Sequence, residues 1–163
     1  MEARRHVLSV TVENEPGVLS RVAGLFSGRG FNIESLNVGP TLEKGVSQMT
    51  ITTTGDDFII EQIVKQLRKL VMTIKVKDLT EVKSVEREMV LIKVNAEDSR
   101  RAEILRIVDI FRCKVVDVSQ EELTIEVTGD QGKIKAIINM LQRFGIKDIA
   151  RTGTVAMKRS MQD

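Results

Sequence analysis

The chain offers little material for making or breaking bonds. Its one histidine, His6, stands near the start of the first strand-like run, and its one cysteine, Cys113, follows Arg112 at the end of an apolar helical stretch. A surface histidine and a partly buried structural cysteine are expected. No second imidazole or thiol is present to complete a histidine metal cluster or a disulfide. The patterns HExxH, CxxC, GxSxG and the glycine-rich phosphate loop are missing. Asp56 with Asp57 and Glu121 with Glu122 bring carboxylates together, but each pair borders a turn, and a helix start favours acids without any acid–base task. No residue is assigned a catalytic role and none a metal.

Recognition is the chemistry the residues can offer. Glu13, Asn14, Glu15, Pro16, Gly17, Val18, Leu19, Ser20 and Arg21 form a break between an alternating run and a helical one. A helix leaves its first backbone N–H groups unpaired and slightly positive, so the amides of Gly17, Val18 and Leu19 can hold a carboxylate. Gly17 has no side chain to obstruct the approach. Asn14 brings an acceptor for an ammonium and a donor for a carboxylate. The same residues also suffice for a plain turn and helix start, and on the local pattern both readings stand. A second polar spot, Phe31, Asn32, Ile33, Glu34 and Ser35, opens the next strand, where Asn32 after Gly30 is also ordinary turn chemistry. Together the two spots describe a pocket for a small zwitterion.

The elements that would position these spots follow from periodicity. From His6 the chain alternates, with Leu8, Val10 and Val12 on one face and Ser9, Thr11 and Glu13 on the other, which predicts a half-buried strand. Val18, Leu19, Val22, Ala23, Leu25 and Phe26 recur at helical spacing, with Pro16 placed for the first helical position and Gly28 or Gly30 for the stop. Strands over 31–38 and 46–53 follow. A helix then carries Ile60, Ile63, Val64, Leu67, Leu70 and Val71, and a strand over 74–79 closes the unit. The order then repeats: a strand over 89–94; a helix capped by Asp98 that buries Ile104, Leu105, Ile107, Val108 and Phe111; strands over 114–119 and 123–127; a helix over 130–144; and a last strand over 146–155. Two β-α-β-β-α-β passes roughly 80 residues apart predict an α+β protein of two ferredoxin-like domains. Residues 1–79 form the first, the polar run 80–88 a linker, and 89–163 the second. Each unit leaves a sheet face and strand edges without cover, so homodimerisation is expected.

Composition narrows the function classes. Of 163 residues, 42% are hydrophobic and 29% charged, the balance of a soluble globular chain, with a net charge of only +2. Aromatics make up 3%, with no Trp and no Tyr, which argues against base-stacking surfaces and an RNA-binding sheet. No signal peptide or membrane-spanning stretch is read, and the single cysteine suits a reducing cytosol, so a cytoplasmic location is expected, with neither nucleic acid nor membrane as partner.

The strings LSVTVENEPGVLSRVAGLFSGRGFNIESLNVGP from Leu8 to Pro40, SQMTITTTGDD from Ser47 to Asp57 and EQIVKQLRKLV from Glu61 to Val71 resemble the regulatory small subunits of acetolactate synthase (acetohydroxyacid synthase), members of the ACT-domain family. So do VERE at Val85 to Glu88, FRCKVVDVSQE from Phe111 to Glu121 and IARTGTVAMKR from Ile149 to Arg159. The resemblance implies that the N-terminal unit is an ACT effector-binding domain and that the chain is not an enzyme. It implies a catalytic large subunit as partner, which holds thiamine diphosphate, FAD and magnesium and makes 2-acetolactate from pyruvate in branched-chain amino-acid biosynthesis. The small subunit would activate that partner and confer feedback inhibition by valine. The implied effector residues are Asn14, Gly17, Val18 and Leu19 on one chain facing Asn32 and Ile33 on another, with Gly39 near the interface strand and Val18, Ile33 and Leu36 as an apolar wall. Two features depart from the family pattern: the connection Thr41, Leu42, Glu43, Lys44, Gly45, and Gly39 where a small alanine is common. A free-standing double-ACT sensor of another enzyme or a transcription factor is the alternative implied by the same domain.

Overall fold

In the first strand, β1 (Arg4–Glu13), Leu8, Val10 and Val12 point into one core with the helices, as the alternation requires. The computed structural model describes residues 2–160. After β1 come α1 (Val18–Ser27), β2 (Ile33–Pro40), β3 (Val46–Gly55), α2 (Asp57–Lys69) and β4 (Thr73–Asp78). The sheet order is β2-β3-β1-β4, and its neighbouring strands are antiparallel. Val18, Val22 and Phe26 of α1 and Ile60, Ile63, Val64 and Leu67 of α2 complete the core.

The second pass runs β5 (Ser84–Asn95), α3 (Asp98–Ile110), β6 (Lys114–Val118), β7 (Glu122–Gly129), α4 (Gln131–Gln142) and β8 (Ile146–Arg151), with sheet order β6-β7-β5-β8. Its core gathers Val90, Ile92, Val94, Ile104, Ile107, Val108, Leu123, Ile125, Ile134, Ile137 and Leu141. Both passes are ferredoxin-like βαββαβ units.

Several boundaries differ from the expected ones. Ser84 to Glu88, expected as linker, already belongs to β5: Ser84, Val85 and Glu86 are half-buried, and the alternation of buried positions begins at Glu88. The compact units are accordingly residues up to Val85 together with those from Thr154 onward, and Glu86–Gly153. The expected last strand over 146–155 is broken around Gly153, whose φ of 81° departs from extended backbone, and the chain resumes as β9 (Val155–Lys158), paired with β5. Pro16 lies in the turn before α1 rather than at its first position. Val71 and Leu105 are exposed at 93% and 40%: α2 has ended at Lys69, and Leu105 lies off the buried stripe of α3. Asp98 is the first residue of α3 rather than its cap. Among the described residues no helix is long and apolar enough to cross a membrane.

Candidate functional site

The turn from β1 into α1 is held from two sides. Glu13 N–H donates to Met72 O at 2.8 Å, and Asn14 N–H donates to Gly45 O at 2.8 Å, which ties the turn to the β2–β3 connection. Gly17 caps α1 with φ 84° and ψ −5°, a left-handed conformation that favours glycine, and no side chain caps the helix. The first full helical bond is Arg21 N–H to Gly17 O at 3.1 Å, while Val18 N–H reaches Glu15 O only at 3.4 Å. Among the described residues, the N–H groups of Gly17, Leu19 and Ser20 meet no acceptor in the chain. The result is a small patch of exposed donors at a helix N-terminus, three residues after the exposed Asn14. The Val18 side chain is buried in the core, whereas Leu19 is 46% exposed.

The second polar spot lies elsewhere in the same chain. Ile33 pairs with Thr53, which pairs with His6 near the start of β1, whereas Gly39 pairs with Gln48, which pairs with Thr11 near its end. Asn32 and Ile33 therefore sit at the opposite end of the sheet from Asn14, Gly17, Val18 and Leu19, some six strand residues or about 20 Å away. Gly39 shares the end that carries the turn. One chain does not bring the two spots together.

His6 is 2% exposed, which overturns the expected surface histidine: it lies on the helix-facing side of β1, under the start of α2. Its Nε2 is 3.2 Å from Gly55 O and 3.1 Å from Asp57 Oδ1, and its Nδ1 is 3.5 Å from Thr80 Oγ1. Arg4 donates to Asp57 at 2.6 Å and contacts Glu81 at 2.9 Å, and these carboxylates hold its guanidinium pKa above its ordinary value. Cys113 is partly buried, its pKa pushed up by desolvation and lowered somewhat by Lys133. Among the described residues no three His, Cys, Asp or Glu side chains gather into a group that could hold a metal.

A polar layer on the sheet face away from the core was not singled out from the sequence. Thr11 Oγ1 donates to Gln48 Oε1 at 2.7 Å, the Gln48 amide donates to Ser9 Oγ, and Ser35 and Thr52 share a hydrogen bond at 2.5 Å. The Ser and Thr residues alternating with the core positions were the available signal.

Comparison with known proteins bears on what such a turn serves. Residues 8–75 match the family described as AHAS small subunit-like ACT domain, and residues 87–160 match small subunit of acetolactate synthase. The acetolactate synthase small subunit of Aquifex aeolicus is 60% identical over 161 residues, covering 98% of this chain and 84% of that one. The chain belongs to the acetolactate synthase small-subunit family. A probable acetolactate synthase small subunit of Archaeoglobus fulgidus is 55% identical over 155 residues, covering 95% of this chain and 97% of its own. The crystal structure of the acetolactate synthase small subunit of Thermotoga maritima superposes with a TM-score of 0.88 at 48% identity, over 98% of this chain and 99% of that one. Within this small-subunit chain, the ACT-domain match spans both polar spots and Gly39, while the second match begins inside β5.

Proposed function

We propose that this chain is the regulatory subunit of acetolactate synthase. It activates the thiamine-diphosphate-dependent catalytic large subunit and makes it sensitive to valine, as feedback control of branched-chain amino-acid synthesis in the cytoplasm. Thiamine diphosphate, FAD and magnesium are assigned to the catalytic subunit, and none to this chain. The observation that carries the reading is the Gly17 turn, where free N–H groups of Gly17, Leu19 and Ser20 stand just after Asn14 inside the ACT-domain match. They suit the carboxylate of an amino acid.

A second copy would complete the site. Among the described residues β2 stands at the end of its sheet, with β3 as its neighbour in the strand order. Antiparallel pairing of two β2 edges about a two-fold axis near Leu36 and Asn37 would set Ile33 of one copy opposite Pro40 of the other. Asn32 and Ile33 would then arrive at the end that carries Gly39 and the Asn14–Leu19 turn. The amides would take the carboxylate, the Asn14 and Asn32 side chains the polar ends, and Ile33, Leu36 and Leu19 the isopropyl group. A ligand that bridges two copies stabilises one arrangement of the dimer, and inhibition follows if that arrangement engages the catalytic subunit less well than the empty one.

The decisive experiment mixes the chain with its acetolactate synthase large subunit and measures acetolactate formation from pyruvate with and without valine. The expected result is a higher rate with the chain present and a fall in that rate on adding valine. A large subunit whose rate and valine response are unchanged by the chain would overturn the reading.

A further inference from the structure

Asn32 has little of its own to hold it. It lies between Gly30, at φ 74°, and the first residue of β2, outside the ladder, and the β2–β3 register slips between Ile33 and Ser35. An exposed Asn in such a segment would present its side chain over a wide range of positions unless something else fixed the backbone.

A buried corner beneath it supplies the constraint. Thr53 is fully buried, and its Oγ1 donates to Asn32 O at 2.6 Å. Phe31 N–H donates to Phe26 O at 2.9 Å, and the Phe31 ring lies so close over Gly55 that a Cβ there would fall inside it. Gly55 is also held through its carbonyl, which lies 3.2 Å from His6 Nε2. Two oxygens, Gly55 O and Asp57 Oδ1, face that nitrogen, so Nε2 carries a proton that lies between them. Thr53 and His6 are cross-strand partners, so the whole support is one continuous piece of sheet.

We infer that Thr53, Gly55 and His6 are positioning residues for the Phe31–Ile33 half of the effector site, Thr53 by fixing the Asn32 carbonyl and Gly55 with His6 by seating the Phe31 ring. This rests on the regulatory reading and names the residues on which its binding geometry depends. Thr53→Val keeps the shape and removes the donor. The loss of one hydrogen bond that orders a ligand-bearing segment predicts valine binding weakened about three- to tenfold. Thr53→Ser restores the donor and with it the affinity to within about twofold. Phe31→Leu, at the partly exposed rim, weakens binding without touching Thr53.

The test is calorimetric titration of the intact chain and its variants with valine, with Asn32→Ala alongside and melting temperatures recorded for each. Weakening by Asn32→Ala, Thr53→Val and Phe31→Leu with rescue by Thr53→Ser is the expected pattern. If Asn32→Ala weakens binding while Thr53→Val does not, or if Thr53→Ser binds no better than Thr53→Val, the positioning role is wrong and the regulatory reading stands. If the unaltered chain binds neither valine, leucine nor isoleucine, the regulatory reading fails and takes this inference with it. Should Thr53→Val melt below the assay temperature, Phe31→Leu alone decides, and unchanged affinity in that variant overturns the proposal.

Discussion

Gly17→Asp is the sharpest perturbation of the proposed carboxylate cradle, provided it is compared with Gly17→Ala. Gly17 has φ 84°, so any side chain there costs about 1–2 kcal/mol of backbone strain. An added Cβ meets nothing within 4 Å, so that strain is the whole steric penalty and both variants share it. Asp adds a negative charge at a helix N-terminus, which recovers about 0.3–1 kcal/mol, so it should melt no lower than the alanine variant. Against a ligand carboxylate about 4 Å away, the same charge would cost about 4 kcal/mol at an effective dielectric of 20. The turn is exposed and solvent screens it, so about 1.5–3 kcal/mol is the appropriate range, a loss of roughly tenfold to a hundredfold in valine affinity relative to Gly17→Ala. Calorimetry gives the affinities, thermal melting the strain and size-exclusion chromatography the association state. If Gly17→Asp binds valine within twofold of Gly17→Ala, the helix amides do not hold the carboxylate.

Two further predictions concern the second unit. Glu88 accepts from Arg151 Nε at 2.6 Å and Nη2 at 3.1 Å, but its side chain is only 9% exposed against 48% for Arg151. Glu88→Ala leaves a guanidinium that water reaches and should cost about 1 kcal/mol, whereas Arg151→Ala strands a buried carboxylate and should cost about 2–3 kcal/mol; equal urea midpoints would contradict this asymmetry. Desolvation raises the Cys113 pKa, so the folded chain carries less thiolate at mildly alkaline pH than the unfolded chain, and its alkylation profile should rise at higher pH. Because the folded pKa is the raised one, the associated stability is present below the unfolded thiol pKa and is lost as pH climbs through the folded one. A folded-state alkylation profile that rises at or below the unfolded pH would refute the burial argument.

Most of the fold was legible because its signals are local. The alternation of Leu8, Val10 and Val12 and the helical recurrence of Ile60, Ile63, Val64 and Leu67 depend on neighbours a few residues away, and each set is found buried in one core. The misplacements arise where tertiary partners decide. Val85 and Glu86 look like linker because their polar surroundings hide that they extend the strand whose buried positions start at Glu88, and the pairing of Glu88 with Arg151 is separated by most of the second unit. Gly153, between Thr152 and Thr154, was a local hint that the last strand could divide there, but nothing nearby in sequence showed that the segment after it would join the first unit, where Thr154 N–H donates to Ser35 Oγ at 3.4 Å. His6 looked like a surface residue because it is polar and near the chain's start, but it shares the buried face of Leu8 and Val10, and the groups it contacts, Asp57 and Thr80, are distant in sequence.

The candidate site was legible in its residue types but not in its distances. Asn14, Gly17 and Asn32 could be picked out because turn residues beside a helix start are conspicuous in any sequence, but only strand register shows that one sheet holds them about 20 Å apart. A free amino acid is far shorter than that separation. Either the ligand therefore rests on one spot alone, or a second copy supplies the other. The Gly17 turn by itself gives a carboxylate several donors, but it leaves the ammonium with Asn14 alone and presents one half-exposed aliphatic, Leu19. Pairing through β2 would add a second Asn and the apolar surface of Ile33, so affinity would depend on protein concentration wherever the dimer dissociates. A one-copy site would show no such dependence, and valine titrations at protein concentrations spanning dimer dissociation separate the two arrangements without any substitution.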